Sequence, residues 1–549
     1  MAQNTDVSCQ ADASCKQNPV KLGHCTRNLF AKLPVELVER ILVDLHTPHV
    51  LRVQLVCRAW RRLVQSSLQL QYKLECFLAG VTNGHHQVRG ITLSERIRRV
   101  RQWKRAWGTL QWSETYDATF PCPALAERSL HVEGSVLGNL DGINGNIFQF
   151  YQIGSQTRDT KPRQWTIADV LGSLTYGTWA FSPEEDLLAV LRIYDNEKKV
   201  DVCFRSCTTG KPHPAAESSA IDIKVHAPLV VDETWELDMS ICDEFIGIFL
   251  YDDNIGRTDI WVFDWKEGKL VWHLFAEADK DTLLPDHFAF LSRDIIIFSA
   301  FAQGSSQLIV ANLFEDSDRT SQRFQALLSW NHCLLLDFPK LSQNCIYQLS
   351  TVFATPARSG TCEGGLFKMR KSDSLILLML EIADESGAEF SYDLVISPVF
   401  IPGLLENLRR SPWNGRFIKW QDWAQHTRIF QTFEVPEIPL YGTRYLTATT
   451  VADGKYKLVL RDFGSISTPT CDAADGSDSH KALEDVEDED GLWSDDIKYT
   501  RLRYREVVSD IIVDFEDRVF LAEDGIIIAR HNEEQVEASG STRLEIYSI

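Results

Sequence analysis

The sequence predicts a multidomain α+β protein: an all-α N-terminal part, made of a short helical module and linker helices, followed by an all-β, propeller-like domain of roughly seven blades. Three observations carry this. Over residues 1–115 apolar residues recur at helical spacing, whereas from about Phe120 they fall in short alternating or all-apolar runs separated by turn residues. The charge divides at the same place, with 17 Lys+Arg against 8 Asp+Glu in residues 1–115 (net +9) and a net charge of −30 in the remainder. At 549 residues the chain is long enough for two or more cores.

The first 28 residues are polar and lack the basic start and apolar centre of a secretory signal, so a mobile tail inside the cell is expected. Within and just beside this stretch, Cys9, Cys15, His24 and Cys25 match no usual zinc spacing. The 13 cysteines are odd in number, scattered and without a CxxC pair, which points to reduced thiols. No apolar run approaches the roughly 18 to 20 residues of a membrane helix, so no membrane association is expected.

The first helix lies in LPVELVERILVDL, residues 33–45. Pro34 suits the opening turn, Glu36 and Glu39 favour the positive end of the helix dipole, and Leu37, Val38, Ile41, Leu42 and Leu45 make one apolar face. Thr47-Pro48 opens a second helix through Val50, Leu51 and Leu55. A third places Val56, Cys57, Trp60, Leu63 and Val64 on one side and Arg58, Arg61 and Arg62 on the other, and helix continues through Leu70, Leu74, Phe77 and Leu78 to a break at Gly80. A last helix opens on Thr92 and Glu95, the spacing of a capping box. Its Arg96, Arg98, Arg99, Arg101, Lys104 and Arg105 are expected on a solvated face or as a clasp onto the acidic body.

In the β region five segments share one form, an acidic or polar turn running straight into an apolar strand: FSPEEDLLAVL, CDEFIGIFL, LSRDIIIFSA, KSDSLILLML and AEDGIIIAR. A second strand follows each. Two of these, VDVCFRSCTTGK and TDIWVFDWKEGK, place Asp201 and Asp259, Gly210 and Gly268, and Lys211 and Lys269 at the same offset of 58 residues. With the other strand pairs this gives about seven units of roughly 60 residues, a propeller by spacing without clear WD signatures. Residues 471–497 break the pattern with 11 acidic residues and one lysine, which predicts a mobile surface loop in which Ser477, Ser479 and Ser494 are open to phosphorylation.

Motifs for chemistry are missing. There is no GxSxG, HExxH or GxxxxGK[ST], and no GxGxxG opening a helix after a strand; the 14 histidines are dispersed, with His85-His86 in a glycine-flanked turn. No catalytic, metal or cofactor-binding residue is assigned, and the acidic body disfavours nucleic acid.

The N-terminal constellation LP-x-EL-x3-IL-x2-L, then VC-x2-W-x2-L, resembles the F-box family at Leu33, Pro34, Glu36, Leu37, Ile41, Leu42, Leu45, Leu51, Val56, Cys57, Trp60 and Leu63. The resemblance implies a three-helix F-box module over residues 29–75 that docks on a Skp-type adaptor through Leu33 to Trp60 of this set, and through it on a cullin and a RING subunit. The linker helices then span 76–115, and a target-binding β-propeller-like domain spans 120–549. A non-catalytic substrate receptor of a ubiquitin ligase, in the cytoplasm or nucleus, is the implied function, with an unidentified protein as its target. An F-box scaffold without a target and an unrecognised propeller enzyme are the alternatives. A helical segment this short also leaves apolar side chains without a core of their own.

Overall fold

The structure is a computed structural model that describes residues 33–84, 90–120, 130–140, 147–168, 170, 175–194, 199–225, 235–252, 256–277, 284–302, 305–314, 321–323, 333–342, 345–355, 365–370, 373–410, 416–432, 437–451, 454–464, 492–494, 497, 500–530 and 542–549. The expected tail over 1–28, Cys9, Cys15, His24 and Cys25, the His85-His86 turn, Ser477, Ser479 and nearly all of 471–497 lie outside the described residues. The chain forms two compact units, Met1–Lys73 and Leu74–Ile549.

Four helices follow one another at the N-terminus: α1 (Val35–Asp44), α2 (Thr47–Val56), α3 (Arg58–Ser66) and α4 (Leu68–Leu78), the last running across the boundary between the units. Their starts follow local chemistry. Pro34 caps α1, its carbonyl accepting from the N–H groups of Leu37 (3.1 Å) and Val38 (3.2 Å). Extended Cys57 separates α2 from α3, so Val56 ends the second helix instead of beginning the third. The Ser67 hydroxyl caps α4 by accepting from Leu70 N–H at 3.2 Å, and it donates to the Glu39 carboxylate. At the other end of α1, the Lys73 ammonium donates to the carbonyls of Val43 (2.6 Å) and Leu45, where the negative pole of a helix favours a cation.

From residue 114 the chain is mostly strand and forms a seven-bladed propeller whose blades are four-stranded antiparallel sheets, with Ser321–Arg323 and Phe417–Ile418 added in parallel at the edges of blades 3 and 4. Blade 1 holds Leu130–Glu133, Val136–Leu140, Ile147–Gln152 and Arg163–Ala168; blade 2 runs from Thr175–Ser182 to Ala220–Ile223; blade 3 from Trp235–Cys242 to Lys269–Glu277; blade 4 from Leu284–Ser292 to Cys333–Asp337. Blade 5 runs from Ile346–Ala354 to Thr427–Gln431, and blade 6 from Leu440–Tyr441 to Arg505–Val513. Blade 7 takes three strands from the C-terminal region, Arg518–Ala522, Gly525–Arg530 and Thr542–Ser548, and its outermost strand, Glu114–Phe120, from the start of the β region. That last pairing runs from Glu114↔Ser548 to Phe120↔Thr542 and closes the ring.

The core lies between blades. Phe148 and Phe150 of blade 1 pack with Trp179, Phe181 and Leu188 of blade 2, and the same layer recurs between blades around to Leu137 of blade 1 against Ile527 and Ile546 of blade 7. A strand stretch covered on both faces has no solvent side, which is why GIIIA in blade 7 and ILLML in blade 5 are continuous apolar runs. Blades approach closely enough to demand glycine: a Cβ on Gly247 of blade 3 would stand 2.5 Å from the Phe288 ring of blade 4.

Four of the five repeated turn-and-strand segments are first hairpins of blades, in blades 2, 3, 4 and 7, and KSDSLILLML leads into the second strand of blade 5. In a ring of such blades these turns share one side of the disc. Helix α5 (Leu93–Thr109), within the 76–115 segment expected as linker helices, belongs to the same compact unit as the propeller. Its Trp103 and Trp107 flank the Arg444 guanidinium at 4.4 and 4.1 Å, and Trp103 meets Phe367 at 5.7 Å. Thr92 caps the helix as expected, but Glu95 turns to Arg98 (2.7 Å) and Arg99 (2.8 Å) and not back to the cap; these partners hold its carboxyl at about 2. Arg99 reaches Asp159 at 3.4 Å, so part of the basic face is a clasp, while Arg98, Arg101 and Arg105 are exposed.

Candidate functional site

The apolar face expected on α1 is two adjacent stripes. Val38 and Leu42, one turn apart, point inward and are buried with Val50 of α2, Val64 of α3 and Leu70 of α4. Leu37 and Ile41, also one turn apart, point outward, with Leu37 52% exposed, and Leu33 and Pro34 continue the outward stripe at its start. A helix this narrow cannot bury both stripes against the same neighbours.

The α2–α3 junction is the second exposed apolar region. Val56 is 70% exposed and Cys57, a free thiol, is exposed beside it. Leu55, near the end of the second helix, is 85% exposed. Val35, not singled out in the sequence, is exposed too. Its signal was its place, beside Pro34 and before the first inward residue. Of the remaining candidates Glu36 is exposed, Leu45, Leu51 and Trp60 are half-buried, and Leu42 is 3% exposed and offers no surface to a partner here. Arg52, Arg58, Arg61 and Arg62 are exposed around these positions. The unit therefore presents leucine, isoleucine and valine side chains among arginines, which suits a docking surface.

In the propeller, Asp201 and Asp259, the pair found by their spacing, lie near the start of the third strands of blades 2 and 3. Asp201 takes Arg192 at 2.7 Å; Asp259 takes Arg257 at 2.6 Å and His273 at 2.8 Å. Gly210 and Gly268 both have the left-handed backbone of the turn that follows. These residues hold hairpins together. Among the described residues no group of three or more His, Cys, Asp or Glu is placed to hold a metal ion, and no helix is long and apolar enough to cross a membrane.

The fold is a four-helix start with an exposed apolar stripe, followed by a seven-bladed propeller. Residues 30–74 match the F-box-like family model, so the chain is an F-box-like domain followed by a C-terminal propeller, a combination that fits an F-box substrate receptor in general. Comparison with curated proteins gives no match. Among solved structures the chain is similar to an uncharacterized protein, lmo1340, from Listeria monocytogenes EGD-e (10% identity, 76% of this chain and 94% of that chain, TM-score 0.31). It is also similar to the Dos1 propeller (9% identity, 75% and 74%, TM-score 0.29) and to oligopeptidase B from Leishmania major (9% identity, 73% and 58%, TM-score 0.22).

Proposed function

We propose that this protein is a non-catalytic substrate receptor of a Skp-cullin-F-box ubiquitin ligase, acting inside the cell. The observation that carries the reading is the outward stripe of α1, Leu37 and Ile41, together with exposed Leu55 and Val56, within the residues that match the F-box-like family. Such a surface is costly to leave in water and is stabilised by a partner of matching shape. The proposed contact set is Leu33, Pro34, Val35, Leu37, Ile41, Leu55, Val56 and Cys57 toward a Skp-type adaptor, with Leu42 supporting them from inside. The mechanism is proximity: a target held by the propeller keeps its lysines near the conjugating enzyme at high effective concentration, so the receptor needs no catalytic group.

Protein half-lives in cells lacking the chain test this. Re-expressed wild type is expected to shorten the half-life of a defined protein set in a cullin-dependent way, and Leu37→Asp/Ile41→Asp, expressed at the same level, is expected not to. Adaptor binding by the wild type with no half-life altered would replace the receptor reading with that of a scaffold.

A further inference from the structure

Four arginines of the N-terminal unit have no counter-charge close at hand. Arg52 lies on α2, and Arg58, Arg61 and Arg62 lie on α3; all four are exposed, and none pairs with a carboxylate among the described residues. From Thr47 to Ser67 the chain holds no aspartate or glutamate, and the nearest are Asp44 and Glu75. Helix α5 is also rich in arginine but is largely balanced, since Arg98 and Arg99 reach Glu95 at 2.7 and 2.8 Å and Arg101 reaches Glu75 at 2.7 Å.

These charges are placed unfavourably for the helix that carries three of them. Arg58 is the first residue of α3, at the positive pole of the helix, and no acid stands in that first turn. Arg61 and Arg62 follow it by three and four residues and stand beside it, where like charges repel. An acidic surface brought against α3 removes both costs.

The same arginines border exposed apolar side chains. Arg52 precedes Leu55 and Val56 by three and four residues, so the three share one side of α2, and Arg58 follows Val56 across Cys57. Leu55, 85% exposed, and Val56, 70% exposed, are thus flanked by cations along the chain in both directions. Aliphatic side chains among guanidinium groups match an apolar recess rimmed by carboxylates, with which arginine forms paired, charge-assisted hydrogen bonds. The chain after residue 115 carries a net charge of −30 and repels an acidic partner, so the approach of one depends on this local patch.

We propose that the α2–α3 junction selects the adaptor by charge: Leu55 and Val56 enter an apolar recess on it, and Arg52, Arg58, Arg61 and Arg62 donate to carboxylates along the rim of that recess. This deepens the receptor reading and rests on it.

The test is the association rate of a Skp-type adaptor with the full chain, followed by stopped-flow fluorescence over a range of salt. The wild-type rate is expected to fall at least about fivefold between about 50 and about 300 mM sodium chloride. Arg58→Gln/Arg61→Gln/Arg62→Gln is expected to associate at least about fivefold more slowly at about 50 mM salt and to lose the fall with salt, because the repulsion left to screen is that of the acidic body. Arg409→Gln/Arg410→Gln/Lys419→Gln removes the same charge from exposed positions between the third and fourth strands of blade 5, and is expected to change the rate less than about twofold. A wild-type rate that is flat or rises with salt, or equal slowing by the two triple variants, would overturn the proposal and leave adaptor docking standing; no binding by the wild type at any salt would overturn both. Loss by the α3 variant of co-sedimentation with phosphatidylserine vesicles, with adaptor association unchanged, would overturn it in favour of a membrane surface. The salt series uses the wild type, so it decides the matter even if a variant fails to fold.

Discussion

Asp393, on the third strand of blade 5, is a carboxyl placed where water does not reach. Burial pushes it up to about 7, against the opposing pull of the Tyr445 hydroxyl, which donates to its Oδ2, and of the Arg461 charge. A carboxyl whose folded value is raised stabilises the fold fully below its unfolded value near 4, and that contribution is lost as pH rises through about 7. Asp393→Asn keeps an acceptor for Tyr445 and cannot ionise. Its denaturant midpoint relative to wild type is therefore expected to be higher at about pH 8 than at about pH 5, and an equal difference at both would contradict the assignment. Single residues also mark where sequence reading stops. Ile41 and Leu42 are adjacent, similar in type and part of one continuous apolar face when read along the helix, yet one is exposed and the other buried. The difference lies in which side α2, α3 and α4 occupy, which spacing along α1 does not encode.

At the scale of elements, α5 shows how a helix predicted from local signals acquires its role from distant ones. Its start was legible at Thr92, whose hydroxyl accepts from Glu95 N–H at 3.3 Å, and its inward ladder of Ile97, Val100, Trp103 and Trp107 is buried as helical spacing requires. Glu95 was misread because Arg98 and Arg99, three and four residues on, compete for its carboxylate. Nothing local announces Arg444, which arrives from the first hairpin of blade 6 and is buried between the two tryptophans. Burial lowers this guanidinium to about 10 while it remains charged at neutral pH, so the aromatic faces on both sides supply part of what water no longer does. Trp107→Ala removes a buried ring and half of that sandwich. It is expected to cost about 3–5 kcal/mol of stability in the full chain, read from the denaturant midpoint; a loss below about 1 kcal/mol would show that α5 is not fastened by this contact.

At the scale of the whole molecule, the helical start, the roughly seven-unit β body and the turns that open four of its blades could be read from the sequence because each repeats a local pattern: helical spacing, apolar runs covered on both faces, and a polar turn before them. Closure could not. The strand ETYDATF alternates, so its existence is local information, but its partner, Thr542–Ser548, is at the far end of the chain. The helical unit and the propeller divide the work in this account, one binding the ligase core and the other the target. The most direct test is calorimetric titration of a Skp-type adaptor into the full chain, beside Leu37→Asp/Ile41→Asp checked by circular dichroism for retained structure. Binding with a Kd of about 1 µM or tighter by the wild type, lost in the folded variant, is the predicted result; no binding by the wild type, or equal binding by both, would contradict it.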